Sequence, residues 1–162
     1  MKSEIASTNE TFQFLSGSSD FLNIVLNNIN SCVLLLNDKM ELQAFNDSIK
    51  TIFSRNKNEN LLYRRCGEAI GCAFHIEEGK ECGDTTQCCN CELRVAALQS
   101  YVNDEIIYND RITKPFLTFD NVKVEKQLQF STRLFLFRDE KYIIMLIEDI
   151  TDLVNPSNKM AS

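Results

Sequence analysis

The sequence predicts a single α+β domain in which helices pack on one face of a five-stranded antiparallel sheet. Three observations support this fold class. The chain has 162 residues, enough for one domain with a core that folds without cross-links. Its last third is rich in β-branched and aromatic residues, as strands are. Before it, segments of helical spacing alternate with short apolar runs and one cysteine-rich stretch.

The amino-terminal part predicts a leader followed by a helix. Residues 1–18 are polar and serine-rich, and we expect them to be flexible. A helix is predicted from Ser19, its N-cap, because Phe21, Val25 and Ile29 recur at four-residue steps. These side chains form one apolar face.

Two strands and a second helix are predicted next. A compact strand is indicated by SCVLLLND, where Cys32 is expected to be a small core residue. Its hairpin partner is MELQAFND, with Leu42 and Ala44 on one face. A helix with Asp47 or Ser48 as its cap is predicted by DSIKTIFSR.

A long helix and three antiparallel strands are predicted for the rest of the domain. Helical spacing in ELRVAALQSYV runs through Leu93, Ala97 and Tyr101. The strands are EIIYNDRIT, VKVEKQLQFSTRLFLF and KYIIMLIEDIT. Pro115 predicts an edge strand, or a break before the middle one. Residues 154–162 are expected to be a mobile tail.

Composition excludes several classes of function. A net charge of −6, with no basic stripe, argues against nucleic acid as a partner. No apolar run approaches the roughly 20 residues that span a bilayer, so no membrane partner is expected. The opening MKSEIASTNE does not have the pattern of a secretory signal, which predicts a cytoplasmic protein. Because the cytoplasm is reducing, clustered thiols in such a protein favour metal binding or redox chemistry over disulfides.

The cysteines concentrate in residues 64–92, which hold six of the seven in the chain. This segment has too little apolar periodicity to fold by packing alone, so something else is expected to hold it. Its carboxylates, such as Glu77, Glu78 and Glu81, are expected to belong to a solvated loop.

The order of elements, ending in IIMLIEDITD, resembles the PAS sensor domains of bacterial signalling proteins. In that family the last strand commonly ends in an Asp-Ile-Thr-like signature, here Asp149, Ile150 and Thr151. The resemblance covers residues 19–153. It implies a PAS-like fold and a role as a signal-transduction sensor.

A narrower resemblance lies in RCGEAIGC, ECG and CCNC, which look like a cysteine-rich subset of PAS domains from sensor kinases. Cys66 and Cys89 fall outside that pattern. No phosphoacceptor helix is recognised after Asp152, so the expected partner is a histidine kinase or other signalling protein acting in trans. A homodimer is also expected. The cysteines that the resemblance implies as ligands are Cys72, Cys82, Cys88 and Cys91.

Four thiols at this spacing suit a metal site. A Cys-x-x-Cys pair at the start of a helix lets Cys88 and Cys91 face one centre, as in zinc and iron–sulfur sites. The free N–H groups of the helix terminus lower thiolate pKa values. Gly83 lets the backbone approach a metal closely. Bound metal would offset the ordering entropy of the segment. The cofactor is then an iron–sulfur cluster or Zn²⁺, which the spacing does not distinguish.

Rival interpretations of the thiols stay open at this stage. One alternative is a metal-free cluster that oxidises reversibly; another is zinc that only holds the loop in place while the domain binds a ligand or dimerises. His75 is a weaker ligand candidate than a fourth thiol and is expected at the surface or half-packed. Cys66 and Cys89 are expected to be bystanders, although Cys89 is an alternative ligand. The preferred function is a metal-containing sensor of redox state, oxygen or a small ligand.

An enzyme is not predicted. A thiol–disulfide couple at Cys88 and Cys91 lacks the strand that precedes such motifs in thioredoxin-like proteins. No nucleophile–base pair or phosphate-binding loop is recognised, and no catalytic residue is assigned.

Overall fold

The structure is a computed structural model that describes residues 24–55 and 60–154, apart from the side chain of Cys89. The predicted leader, the first five residues of the predicted opening helix and nearly all of the predicted tail lie outside this range. A single helical turn at residues 24–27 precedes the first strand.

The described elements follow the predicted order of helices and strands. They are β1 (Cys32–Leu36), β2 (Leu42–Phe45), α1 (Ser48–Ile52), α2 (Cys66–Ile70), α3 (Ala73–Glu78), α4 (Glu92–Asn103), β3 (Ile107–Leu117), β4 (Lys123–Phe137), β5 (Glu140–Asp149) and α5 (Thr151–Val154). A short 3₁₀ helix, Cys88–Asn90, leads into α4.

The strands form one sheet in the order β2-β1-β5-β4-β3, and each neighbouring pair is antiparallel. The predicted five-stranded antiparallel sheet is therefore confirmed. Between β4 and β5 the chain reverses in two residues, Arg138 and Asp139, at φ values of 51° and 64°. Positive φ at both positions matches the turn geometry that the twist of a hairpin favours.

One face of the sheet is buried beneath the helices. Leu34, Phe130 and Met145 point into this core with at most 2% exposure, and Leu93 and Ala97 of α4 pack against it. Cys32 is a buried core residue, as predicted. Burial raises the pKa of its thiol to about 12, so it stays protonated.

The cysteine-rich segment packs better than its sequence suggests. α2 buries Cys66, Ala69 and Ile70 in the core, and Ala73 at the start of α3 is also buried. Packing therefore contributes at these two helices, and the expectation that something besides packing holds the segment stays a prediction. The two helices have few apolar residues. Because α2 has only five residues, these few are enough to bury the side that faces the core.

Two details of the strand predictions differ in the structure. β3 is an edge strand, as Pro115 predicts, but it continues through the proline to Leu117, so there is no break. Ala44 is exposed although Leu42 is buried. The register of β1 against β2 shifts between Leu35 and Leu36, which separates the two side chains onto different faces.

The amino-terminal turn is held by hydrogen bonds. Val25, Leu26 and Ile29 keep 39–41% of their surface exposed, so the described part of the predicted apolar face is only partly covered; Phe21 lies outside the described residues. The Asn46 side-chain amide donates to the Leu26 carbonyl at 2.9 Å, and the Ser48 hydroxyl donates to the Ile29 carbonyl at 2.5 Å. Ser48 therefore caps the preceding turn, whereas Asp47 occupies the N-cap position of α1.

Candidate metal centre

The four cysteines predicted as ligands line one small, partly open cavity of about 30 Å³. Cys72 is the N-cap residue of α3, and Cys91 is the N-cap residue of α4. Cys88 begins the 3₁₀ helix, and Cys82 lies in the turn that follows α3. The fold thus brings together thiols up to 19 positions apart in sequence.

The sulfur atoms do not form a coordination sphere. Among residues 24–55 and 60–154, no three His, Cys, Asp or Glu side chains are grouped so that they could hold a metal ion. A volume of about 30 Å³ exceeds the roughly 10–15 Å³ that one water needs, so a single ion fits between the thiols. The sulfurs would have to turn inward to bind it, and a polynuclear cluster would need the walls to move apart. The assignment of these cysteines as ligands stays a prediction.

Backbone and hydroxyl groups are directed at two of the sulfurs. The Gly67 N–H donates to Cys82 Sγ at 3.3 Å, and the Gly83 N–H donates to Cys88 Sγ at 3.1 Å. The Thr85 hydroxyl lies 2.9 Å from Cys88 Sγ. Donors of this kind stabilise a thiolate, whether free or bound to a metal.

The two sulfurs nevertheless differ in acidity. Burial raises the pKa of Cys82 to about 11, despite the Gly67 N–H. Burial also acts to raise the pKa of Cys88. There the hydrogen bonds from Thr85 and Gly83 and the positive charge of Arg94 outweigh it, and the pKa falls below the usual value. Without bound metal, Cys88 is the more readily ionised of the two.

A fifth thiol, Cys66, belongs to the wall of the cavity. It is 2% exposed, and burial followed by the neighbouring Cys82 and Cys91 raises its pKa well above the usual value. The sequence does not show that Cys66, expected to be a bystander, lies beside the other thiols, and its role stays a prediction. The side chain of Cys89 lies outside what the structure describes.

Two cations flank the thiols. Lys114, on β3, has a side chain that is only 7% exposed, and its ammonium lies 3.6 Å from Glu92. Burial acts to lower the pKa of Lys114, but Cys91, Glu92 and Cys72 outweigh it and raise the pKa, partly through a hydrogen bond with Cys91. Arg94, on α4, lies on the Cys88 side of the cavity.

Glycines allow the close approaches at this site. A Cβ on Gly67 would lie 2.9 Å from Cys82 Sγ, and a Cβ on Gly83 would lie 2.9 Å from Arg94 Nη1. Gly83 also has a φ of +101°, which side-chain-bearing residues rarely adopt. Gly83 thus makes room for a guanidinium, while its N–H approaches the Cys88 sulfur. The close approach of its backbone to a metal stays a prediction.

Charged side chains hold the loop that carries Cys82 and Cys88. Arg65 donates to the Cys82 carbonyl at 2.7 Å and lies 3.5 Å from Glu81. Glu78 accepts hydrogen bonds from the Thr86 N–H at 3.0 Å and from its hydroxyl at 2.7 Å. The carboxylates expected to be merely solvated thus anchor the loop.

His75 is half-buried, as predicted, with Nδ1 2.6 Å from the Lys80 carbonyl oxygen. It lines the cavity wall together with the thiols. Its contact with the Lys80 carbonyl turns Nδ1 toward the end of its own helix.

Sequence reasoning misses the residues that act on the sulfurs without being thiols. Gly67, Arg94 and Lys114 carry no metal-ligand signature. One signal was available for Lys114: the alternation along β3 places it on the same face as Ile112 and Phe116, which are buried.

Comparison with solved structures identifies the fold. The PAS domain of nitrogen regulation protein NR(II) from Vibrio parahaemolyticus matches with a TM-score of 0.57 at 12% identity, over 82% of this chain and 100% of that one. The PAS domain of BvgS from Bordetella pertussis matches with a TM-score of 0.56 at 13% identity, over 88% and 93%. A PAS domain from a two-component sensor histidine kinase matches with a TM-score of 0.50 at 9% identity, over 87% and 99%. The chain therefore has a PAS-like fold.

Sequence comparison adds no closer relative. No family model and no curated protein sequence matches this chain. Within residues 24–55 and 60–154, no helix combines the length and the apolar character needed to cross a membrane.

Proposed function

We propose that this PAS-like domain is a signal-transduction sensor whose sensory element is a metal centre held by Cys72, Cys82, Cys88 and Cys91. The observation that carries the proposal is that these four thiols line one cavity at the start of the longest helix. The hydrogen bonds from Thr85 and Gly83 and the charge of Arg94 support it, because they lower the pKa of Cys88 and so favour its thiolate. The four cysteines would supply the thiolate ligands; zinc would cross-link them, whereas an iron–sulfur cluster would supply electron transfer.

The position of Cys91 supports a route from the site to the sheet. Cys91 is the N-cap residue of α4, so a shift of its backbone moves the start of that helix. Further along α4, the Ser100 hydroxyl lies 2.7 Å from the Thr132 hydroxyl of β4, and Thr132 donates to the Ala96 carbonyl at 3.1 Å. All the side-chain atoms in this contact are buried, so α4 and the sheet move together unless it breaks.

A second route runs through the edge of the sheet. The Cys66 N–H donates to the Met40 carbonyl at 2.8 Å, and β2, the strand after Met40, ends at Phe45, next to Asn46. The Asn46 side-chain amide donates to the carbonyls of Leu26, within the exposed apolar turn, and of Ser31, which follows it. We propose that this turn presents the output to a signalling protein such as a histidine kinase. A homodimer and a cytoplasmic location remain predictions.

Two rival functions of the same thiols follow from specific observations. The lowered pKa of Cys88, three positions before Cys91, favours a metal-free thiol switch. The size of the cavity suits one zinc ion that only pins the loop. No enzymatic activity is proposed.

Spectroscopy and metal analysis of the anaerobically purified protein test the proposal. Broad visible absorption with bound iron and sulfide supports a redox-sensing cluster, whereas colourless protein with one zinc supports the structural role. Cys91→Ser is expected to lose the metal, and Cys32→Ala, which removes a thiol outside the cavity, is expected to keep it. Wild-type protein that carries no metal after either iron or zinc reconstitution would leave the thiol switch as the better explanation.

A further inference from the structure

A buried lysine at the thiol cavity needs an explanation. Lys114 lies on the inward face of β3, between the buried side chains of Ile112 and Phe116, where an apolar residue would be ordinary. A buried ammonium is costly unless it is paired and hydrogen-bonded. Its ion-pair partner, Glu92, is 43% exposed and 3.6 Å away, so this pair alone is a weak reason to bury a charge.

Lys114 belongs to the wall of the cavity that the thiols line. Lys114 lines the same small cavity as Cys72 and Cys91, and its ammonium lies 5.8 Å from the centre of the Phe74 ring. Arg94 lines this cavity too, and its positive charge acts to lower the pKa of Cys88. Both cations therefore belong to the wall of the thiol cavity.

The charge of a metal–thiolate centre matches this arrangement. Four thiolates around one divalent ion carry a net charge of about −2. In a cavity of low dielectric, uncompensated negative charge opposes the deprotonation of the last thiols and so weakens metal binding. Lys114 and Arg94 together supply two positive charges at the wall.

We propose that Lys114 is a positioning residue of the thiol site, whose buried ammonium compensates the negative charge on Cys91 and Cys72 and thereby sets the affinity for a thiophilic metal ion. This inference rests on the proposed function. Glu92 also pairs with the ammonium, so its negative charge reduces the compensation that Lys114 gives to the sulfurs. Removing Lys114 and removing the charge of Glu92 should then change metal affinity in opposite directions.

The test is a zinc competition titration of the full chain against a chromophoric chelator. Lys114→Met keeps the length of the side chain and removes the charge, and zinc affinity is expected to fall by roughly 10–100-fold, as for other groups that act on a metal ligand. Glu92→Gln is expected to raise zinc affinity by roughly two- to fivefold, the range of a partly exposed charge pair. The matched control is Lys123→Met, which removes a 53% exposed charge from the neighbouring strand and is expected to leave affinity unchanged.

The outcomes separate this inference from the proposed function. Wild-type protein that binds no zinc overturns the inference, and it overturns the proposed function as well if iron reconstitution also fails. Tight binding by wild type and equally tight binding by Lys114→Met overturns the inference alone, as does a loss of affinity in Glu92→Gln. If circular dichroism shows that Lys114→Met does not fold, the sign of the Glu92→Gln change decides. A merely structural lysine would not produce opposite signs.

Discussion

Replacing Gly67 by alanine tests the close packing between α2 and the loop that carries Cys82. The new Cβ would lie 2.9 Å from Cys82 Sγ and 3.2 Å from Cys82 Cβ. Carbon atoms in comfortable contact are about 3.5–4.0 Å apart, so an overlap of at least half an ångström must be relieved. Rotating the sulfur relieves only one of the two contacts. The loop must therefore move, against the hydrogen bond that Arg65 donates to the Cys82 carbonyl.

Two opposing effects set the size of the change. Overpacking of a well-ordered site costs about 1–3 kcal/mol. Alanine is favoured over glycine inside a helix by about 1 kcal/mol, and Gly67 lies within α2 with no positive φ. The free energy of unfolding is expected to fall by about 1 kcal/mol, with Tm lower by roughly 2–4 °C for a chain of this size.

Urea denaturation and alkylation of Cys82 measure the two consequences. Gly67→Ala should lower stability and change the rate at which Cys82 is alkylated in the folded, metal-free protein. The matched control is Gly79→Ala, at φ +65° with open space around its Cβ position. It should lose roughly 1–2 kcal/mol through backbone strain and leave Cys82 unchanged. A Gly67→Ala protein that is stabilised by about 1 kcal/mol, with an unaltered alkylation rate, would refute the reasoning.

Two further predictions concern contacts away from the thiols. Thr132→Val removes both hydrogen bonds of its hydroxyl and should cost about 2 kcal/mol in the free energy of unfolding, whereas Ser100→Ala should cost about 1 kcal/mol. In urea denaturation the double variant should lose less than the sum, and strict additivity would argue against a direct bond. Burial acts to raise the pKa of Asp149, but hydrogen bonds from Lys126 and Thr151 outweigh it and lower the pKa below 3.8. Because the folded pKa is below the unfolded one, this stabilisation is complete above the unfolded pKa and is lost as pH falls through the folded value. Urea midpoints between about pH 6 and pH 3 should therefore decline less in Asp149→Asn than in wild type, and identical slopes would contradict this prediction.

The order of helices and strands could be predicted because its signals are local. Apolar spacing through Leu93 and Ala97 indicates α4, and both residues are buried. Alternation and β-branched content indicate the last three strands. Exceptions arise where pairing overrides periodicity, as at Ala44, where a register shift turns the side chain outward.

The candidate site was predictable in its thiols and not in their surroundings. Cysteines have few ordinary reasons to cluster, so the sequence draws attention to the six thiols of residues 64–92. The resemblance to a cysteine-rich subset of PAS domains then implies Cys72, Cys82, Cys88 and Cys91 as the ligands. Lysine and glycine have many roles, so the sequence gives no specific reason to place Lys114 and Gly67 at the site. Their proximity to the sulfurs depends on how β3 and α2 pack around the loop.

The sequence by itself determined the class of fold and the cysteine cluster, because periodicity and rare residues are properties of short stretches of chain. Tertiary structure decided which neighbours each sulfur has. Cys91 meets Lys114 across 23 positions, and Cys82 meets Gly67 across 15. Such contacts depend on the distances and burial that packing sets, so the electrostatics of the thiols exist only in the folded domain.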